Sequence, residues 1–194
     1  MSALTVGHEP GQGWDDLVRL WEETDAPEGS KVEIIEGVVT LSPTPSIEHN
    51  DIADTVQRQL YPVIPTDWGI YQTLAVAIPS RHGMYVPDLL VVPRDALTVG
   101  RNFIPADVAE LVVEITSQSN ASHDRITKVA GYAQAGVPLY LLIDRWAPGG
   151  PTVMLYGEPK GDVYRTLAGG KFGEAIKLPA PFGLTIETAG FPGR

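Results

Sequence analysis

Two acidic residues stand where acids are expensive. In Val86-Pro87-Asp88-Leu89-Leu90-Val91-Val92, period-two alternation sets Val86, Asp88, Leu90 and Val92 on one face of an apolar strand. In Leu111-Val112-Val113-Glu114-Ile115, Glu114 shares a face with Val112 and interrupts a hydrophobic run. An ionised carboxylate in such surroundings is costly unless it is paired, hydrogen-bonded or bound to a metal. Two of them on neighbouring strands can converge on one divalent cation, because hard cations favour oxygen and magnesium takes only one or two protein carboxylates. That arrangement suits hydrolysis of a phosphodiester bond. The blander alternative has Asp88 capping a turn after Pro87 and Glu114 pairing with an arginine, or either acid facing solvent at a strand end.

Other polar residues are weaker candidates when taken alone. Glu33, in Val32-Glu33-Ile34-Ile35, has the same character but also reads as a half-exposed strand residue, and Glu36 belongs to the turn before Gly37. Asp124, Lys128 and Tyr132 recur every four residues, on the side of a helix opposite Ile126, Val129 and Ala130. They read either as a solvated face with an Asp-to-Lys pair, or as a stripe that brings an ammonium beside a metal, where it could orient or help deprotonate water and stabilise phosphoryl charge. His49, between Glu48 and Asn50, reads as a cap or a partly buried polar residue before it reads as a ligand.

The elements that must position these groups are visible in the periodicity. Trp14, Leu17, Val18 and Trp21 predict an amphipathic helix over 14–24, and the residues around Glu36-Gly37 predict a hairpin over 31–41. Ser46 starts a second helix with Ile47, Ile52, Val56, Leu60 and Val63 as its apolar positions, closed by Pro62 and Pro65. Strands follow at 70–78, 84–92 and 108–116, the last two apolar enough to be central. A helix over 122–135 with Ile126, Val129, Ala130 and Ala133 on one face ends at Gly136, and a buried strand over 139–143 precedes short β runs at 152–156, 163–167 and 175–178. The fold class is α/β, an α+β mixed sheet covered by helices.

Composition narrows the function classes. The 194 residues allow one substantial core and require no second, with 1–30 as N-terminal helix and linker, 31–144 as core and 145–194 as a β-rich extension. No apolar run approaches the length of a membrane span, and residues 1–13 lack a basic segment followed by an apolar one, so a cytoplasmic protein is expected. The chain has no cysteine, which excludes thiolate nucleophiles, disulfides and thiolate zinc sites. Its net charge of −10 excludes a broad basic coat for nucleic acid but not a local patch. Arg81, His82, Arg94, Arg101 and Arg125 are the side chains expected to supply one.

These motifs, taken together and in order, resemble the Uma-two type restriction endonucleases of the PD-(D/E)XK nuclease superfamily. The resemblance runs from Val32-Glu33-Ile34-Ile35-Glu36-Gly37-Val38 through Ser42-Pro43 and His49, Val86-Pro87-Asp88-Leu89, and Leu111-Val112-Val113-Glu114-Ile115 with Ser117 and Ser119. It continues with Asp124, Lys128, Tyr132 and the segment from Ala135 to Asp144. It implies a restriction-endonuclease-like core in which Asp88 is the aspartate of the PD motif, Glu114 the second acid and Glu33 a further acid from the N-terminal part. Two residues past Glu114, where the superfamily pattern has lysine, stands Thr116, and Lys128 on the next helix looks like the migrated substitute.

The expectation is therefore a metal-dependent endonuclease acting on DNA, with magnesium, or manganese in its place, held by Asp88 and Glu114, and with Glu33 and Lys128 completing the catalytic set. A homodimer is expected, because cutting two strands favours a two-fold arrangement. The competing expectation, favoured by Thr116 and the acidic charge, is a catalytically inactive module that keeps the fold for binding or assembly.

Overall fold

The computed structural model describes residues 4–6, 13–97, 99–118 and 120–193; Ser119 lies outside them. After a short strand β1 (Leu4–Val6), the predicted first helix forms as α1 (Trp14–Glu23), which buries Leu17. The hairpin is β2 (Lys31–Ile35) and β3 (Val38–Ser42). Its two turn residues take the left-handed conformation that such a tight turn demands, with φ 49° at Glu36 and 82° at Gly37. Ser46 caps α2 (Ile47–Leu60) by accepting the His49 backbone N–H at 3.3 Å. Ile52, Val56 and Leu60 face inward as the spacing predicts, whereas Ile47 in the first turn is 85% exposed.

Two of the predicted strands are each broken in two. Residues 70–78 divide between β4 (Trp68–Tyr71) and β5 (Ala75–Ile78), and residues 84–92 between β6 (Gly83–Tyr85) and β7 (Leu89–Pro93). In both cases the chain crosses from one sheet to another. At the second break Pro87 has no N–H to give to a ladder, so the strand cannot continue through it. Val86 consequently packs in one core and Leu90 and Val92 in another. Asp88 is thus a crossover residue at the mouth of β7, not a mid-strand residue sharing a face with Val86.

The chain continues through β8 (Phe103–Pro105) and β9 (Leu111–Ile115) to a π-helical turn (His123–Thr127) that runs into α3 (Lys128–Gln134). Gly136 stops this helix at φ 81°. Then come β10 (Leu139–Asp144), the long hairpin β11 (Thr152–Lys160) and β12 (Val163–Lys171), and the small pair β13 (Ile176–Lys177) and β14 (Thr185–Ile186).

One sheet has the order β1-β3-β2-β6-β5-β8 and the other β12-β11-β10-β9-β7-β4. In the second, β9 and β10 are parallel and the π turn with α3 is their crossover; its other pairs are antiparallel. Helix α1 covers the first sheet, with Leu17 against Ile34, Val39 and Met84. Ile35, Val76 and Tyr85 from that sheet meet Leu90, Val112 and Tyr140 from the second, with Tyr132 of α3 between them. Helix α2 and the C-terminal residues Leu178, Phe182 and Ile186 cover the opposite face, over Leu111, Val113 and Leu141. This is a mixed α+β architecture in which β11 and β12 prolong the core sheet and β13 and β14 form a separate two-stranded sheet.

The third helix buries parts of both of its stripes, with Ala133 in the core and Val129 packed against it. Ile126 is 70% exposed, while Asp124, Lys128 and Tyr132 are buried. Two stripes on a helix are equivalent in spacing, and the deeper one is chosen by what it meets: here carboxylates and tyrosines already inside. Gly131 marks the closeness of that approach, since a Cβ there would fall 2.7 Å from the Tyr85 ring.

Candidate active site

The crossover before β7 carries the first half of the site. Asp88 accepts the Ile115 backbone N–H at 2.7 Å through Oδ2, which ties the loop before β7 to the end of β9, one residue past Glu114. His49 on α2 brings Nε2 to 3.0 Å from the same oxygen. The Lys31 ammonium pairs with Oδ1 and also donates to the Val86 carbonyl at 3.2 Å. Burial alone would raise the Asp88 pKa, but the Lys31 ammonium, His49 and the Ile115 N–H together hold it below the usual carboxylate value. Burial pushes the His49 imidazole down, helped by Lys31 and Arg145 and opposed by Asp88.

The second half lies inside. Alternation along β2 turns Lys31, Glu33 and Ile35 to one face, so Glu33 points with Lys31 toward the second sheet. Glu33 Oε1 accepts the Val86 N–H at 2.8 Å and receives the Lys128 ammonium at 2.8 Å. Lys128 also reaches Glu114 Oε1 at 3.1 Å and Asp124 Oδ1 at 3.4 Å. The Tyr132 hydroxyl donates to Glu114 Oε1 at 2.9 Å.

Glu114 is pushed up to about 8, first by burial and then by repulsion from Asp124 and Asp88, despite the attraction of Lys128. Asp124 is pushed up to about 7 by burial and by Asp88 and Glu33, again against Lys128. Burial works against the Lys128 ammonium, but Glu114, Glu33 and Asp124 outweigh it and hold its pKa well above the ordinary lysine value.

A third network closes the end of β10. Thr116 donates to Asp144 Oδ1 at 2.9 Å, and Arg125 grips both oxygens of that carboxylate at 2.6 and 2.8 Å. Thr116, at the position where the superfamily pattern has lysine, is thus engaged with Asp144. A cleft of about 470 Å³ opens over this region, its wall including Lys31, His49, Asp88, Thr116, Asn120 and Arg145. Glu33, Glu114, Asp124 and Lys128 are not on that wall. Nor are Arg81, His82, Arg94, Arg101 and Arg125; Arg81 pairs with Glu36, Arg101 lies over the Phe103 ring and Arg125 is spent on Asp144. The cleft's fixed positive charge comes from Lys31 and Arg145.

All four residues singled out from the sequence, Glu33, Asp88, Glu114 and Lys128, gather in one region, and Asp124 and Tyr132 join them. Glu114 pairs with lysine and tyrosine, not with an arginine. Lys31 was not among the sequence candidates; the available signal was its place two residues before Glu33 on the same strand face. Among the described residues, no three carboxylate or imidazole groups converge closely enough to enclose a metal ion. The donor set still suits a hard divalent cation held through one or two carboxylates and water. Four acids, Glu33, Asp88, Glu114 and Asp124, face two ammonium groups, Lys31 and Lys128. Both Asp124 oxygens are buried without a hydrogen bond, and those reaching Glu114 fall on Oε1 alone.

The fold is restriction-endonuclease-like. Residues 14–189 match the Uma2 family, described as "Putative restriction endonuclease", and the chain belongs to that family. A crystal structure of a "putative nuclease belonging to DUF820" from Anabaena variabilis is similar to it in fold, with TM-score 0.64 and 18% identity over 89% of this chain and 91% of that one. Among curated proteins, none matches the chain. Among the described residues, no helix is long and apolar enough to cross a membrane.

Proposed function

We propose that this protein is a divalent-metal-dependent nuclease that hydrolyses phosphodiester bonds in DNA, with magnesium as its ion and manganese as a substitute. The observation that carries the reading is the meeting of Asp88, on the cleft wall, with the buried acid set around Glu114, bridged by the Asp88 bond to the Ile115 N–H. Asp88 and Glu114 would hold the ion, which supplies Lewis acidity toward a phosphate oxygen and an attacking water.

The chain's own groups do the rest. Lys128 and Tyr132 together fix Glu114 through one oxygen, and Glu33 fixes Lys128, so these two residues act by positioning an acid. His49 and the Ile115 N–H hold Asp88 ionised and aimed. Family membership supports a nucleic-acid substrate, and the charge of Lys31 and Arg145 on the wall supports entry of a phosphate. Cutting both strands of a duplex would call for two copies of the chain, which sedimentation with and without DNA would test.

Purified protein should cleave DNA in magnesium and not in EDTA. Asp88→Ala and Glu114→Ala should each lower the rate by roughly 10³-fold, the scale of several kcal/mol of transition-state stabilisation. Cleavage that survives both substitutions would remove this mechanism. Folded, DNA-binding protein with no cleavage in either metal would favour the inactive module instead.

A further inference from the structure

Two lysines touch the carboxylate set, and their surroundings differ. Lys128 is 2% exposed and lies within 3.4 Å of three carboxylates, so it would have to abandon all three to reach a phosphate. The Lys31 side chain is 19% exposed and lines both the 470 Å³ cleft and a neighbouring hollow of about 460 Å³. Both hollows also have Asp88 and His49 on their walls. Among the described residues, its ammonium is held by Asp88 and by the Val86 carbonyl.

We propose that Lys31 is the lysine that meets the scissile phosphate, and that Lys128 is an internal counterion that positions Glu33, Glu114 and Asp124. The inference rests on the nuclease reading above, and it relocates the lysine function from α3 to the start of β2. Three features of the chain make the relocation physically sensible. Thr116 cannot supply an ammonium and is committed to Asp144. Strand alternation puts Lys31 on the same face as Glu33, so one strand delivers both an outer cation and an inner acid. The two side chains also grip the backbone of one residue, Lys31 at the Val86 carbonyl and Glu33 at the Val86 N–H, which fixes the crossover that presents Asp88.

In the hydrolysis, water oxygen bonds to phosphorus as an ester P–O bond breaks, the departing oxygen gains a proton and the attacking water loses one. Lys31 remains an ammonium throughout and stabilises negative charge gathering on the phosphoryl oxygens. Because the ammonium and a divalent ion both answer the charge of Asp88, they oppose each other's binding there.

The test uses the full-length chain and two readouts. Lys31→Met should lower the single-turnover cleavage rate by about 10²-fold or more, while Mn²⁺ titrated into DNA-free protein should bind roughly tenfold tighter, since one competing charge is gone. Lys31→Arg should keep the fold and recover at least about a tenth of the wild-type rate. It keeps the proposal testable if the methionine variant is unstable.

Cleavage by Lys31→Met within threefold of wild type, with Asp88→Ala inactive, would overturn the role of Lys31 and leave the nuclease reading standing. Unchanged or weaker Mn²⁺ binding by Lys31→Met would overturn the competition at Asp88. Wild-type protein that binds Mn²⁺ but cuts neither DNA nor RNA would overturn the nuclease reading, and the role of Lys31 with it.

Discussion

Around Asp88, an ammonium, an imidazole and a backbone N–H surround one carboxylate at the wall of a cleft; around Lys128, three carboxylates surround one ammonium in the interior. The first cluster has more donors than acid, and its carboxylate is held below its usual pKa. The second has more acid than donors, and Glu114 and Asp124 are pushed up toward neutral pH. Burial pushes all three carboxylates up; at Asp88 the neighbouring donors outweigh it, and at Glu114 and Asp124 the neighbouring acids add to it. The cleft cluster is arranged to keep a charge available, and the inner cluster to hold a framework that a cation would complete.

The largest separation between the clusters should come from cleavage: Asp88→Ala and Glu114→Ala should both cost about 10³-fold, joining the outer and inner acids as one working unit. Equal losses would support that unit, and a loss confined to Asp88→Ala would reduce Glu114 to framework. Next in size is Lys128→Met, which leaves three buried acids without their ammonium and should destabilise the fold by about 3–5 kcal/mol. That corresponds to a fall in Tm of about 10 °C, given roughly 2–4 °C per kcal/mol for a chain of this size. Lys31→Met should lower Tm by less than Lys128→Met does, because Asp88 keeps His49 and the Ile115 N–H as partners. Similar Tm values for the two lysine variants would erase the distinction drawn between them.

Gly131→Ala should lower Tm by a few degrees, since overpacking costs about 1–3 kcal/mol and a better helix former returns about 1. A rise in Tm would mean that α3 can move away from Tyr85, which would loosen the inner cluster.

The smallest effect is on pH dependence. Glu114 rises from 4.5 to about 8 on folding and Asp124 from 3.8 to about 7, so the folded chain holds protons that the unfolded chain has released. The stability this contributes is complete below the unfolded values and is lost as pH climbs through 7 and 8. In EDTA, Tm should therefore fall between about pH 4 and pH 8, and excess magnesium should reduce the fall by binding the folded state. A flat profile would put these acids in contact with water and end the contrast with Asp88.

Much of this could be read from residue order. The hairpin at Glu36-Gly37, the Ser46 cap and the apolar strands around Glu114 are local patterns, and each forms where the pattern puts it. Asp88, Glu114 and Glu33 were conspicuous for the same local reason, a charge inside an apolar run. Other features were not legible. The break at Pro87 separates two cores that no window of sequence distinguishes, and the Asp124-Lys128-Tyr132 stripe turned inward although its spacing allowed either side. Lys31 and His49 looked ordinary, because their importance comes from meeting Asp88 across long stretches of chain.

The sequence by itself determined which elements form and which acids sit in places that need an explanation, since backbone hydrogen bonding and hydrophobic periodicity act over a few residues. Only the tertiary structure decided which lysine opens to the cleft and which is sealed among carboxylates. Electrostatic energy depends on distance through space and on exposure to water, and neither quantity is written in the spacing along a chain.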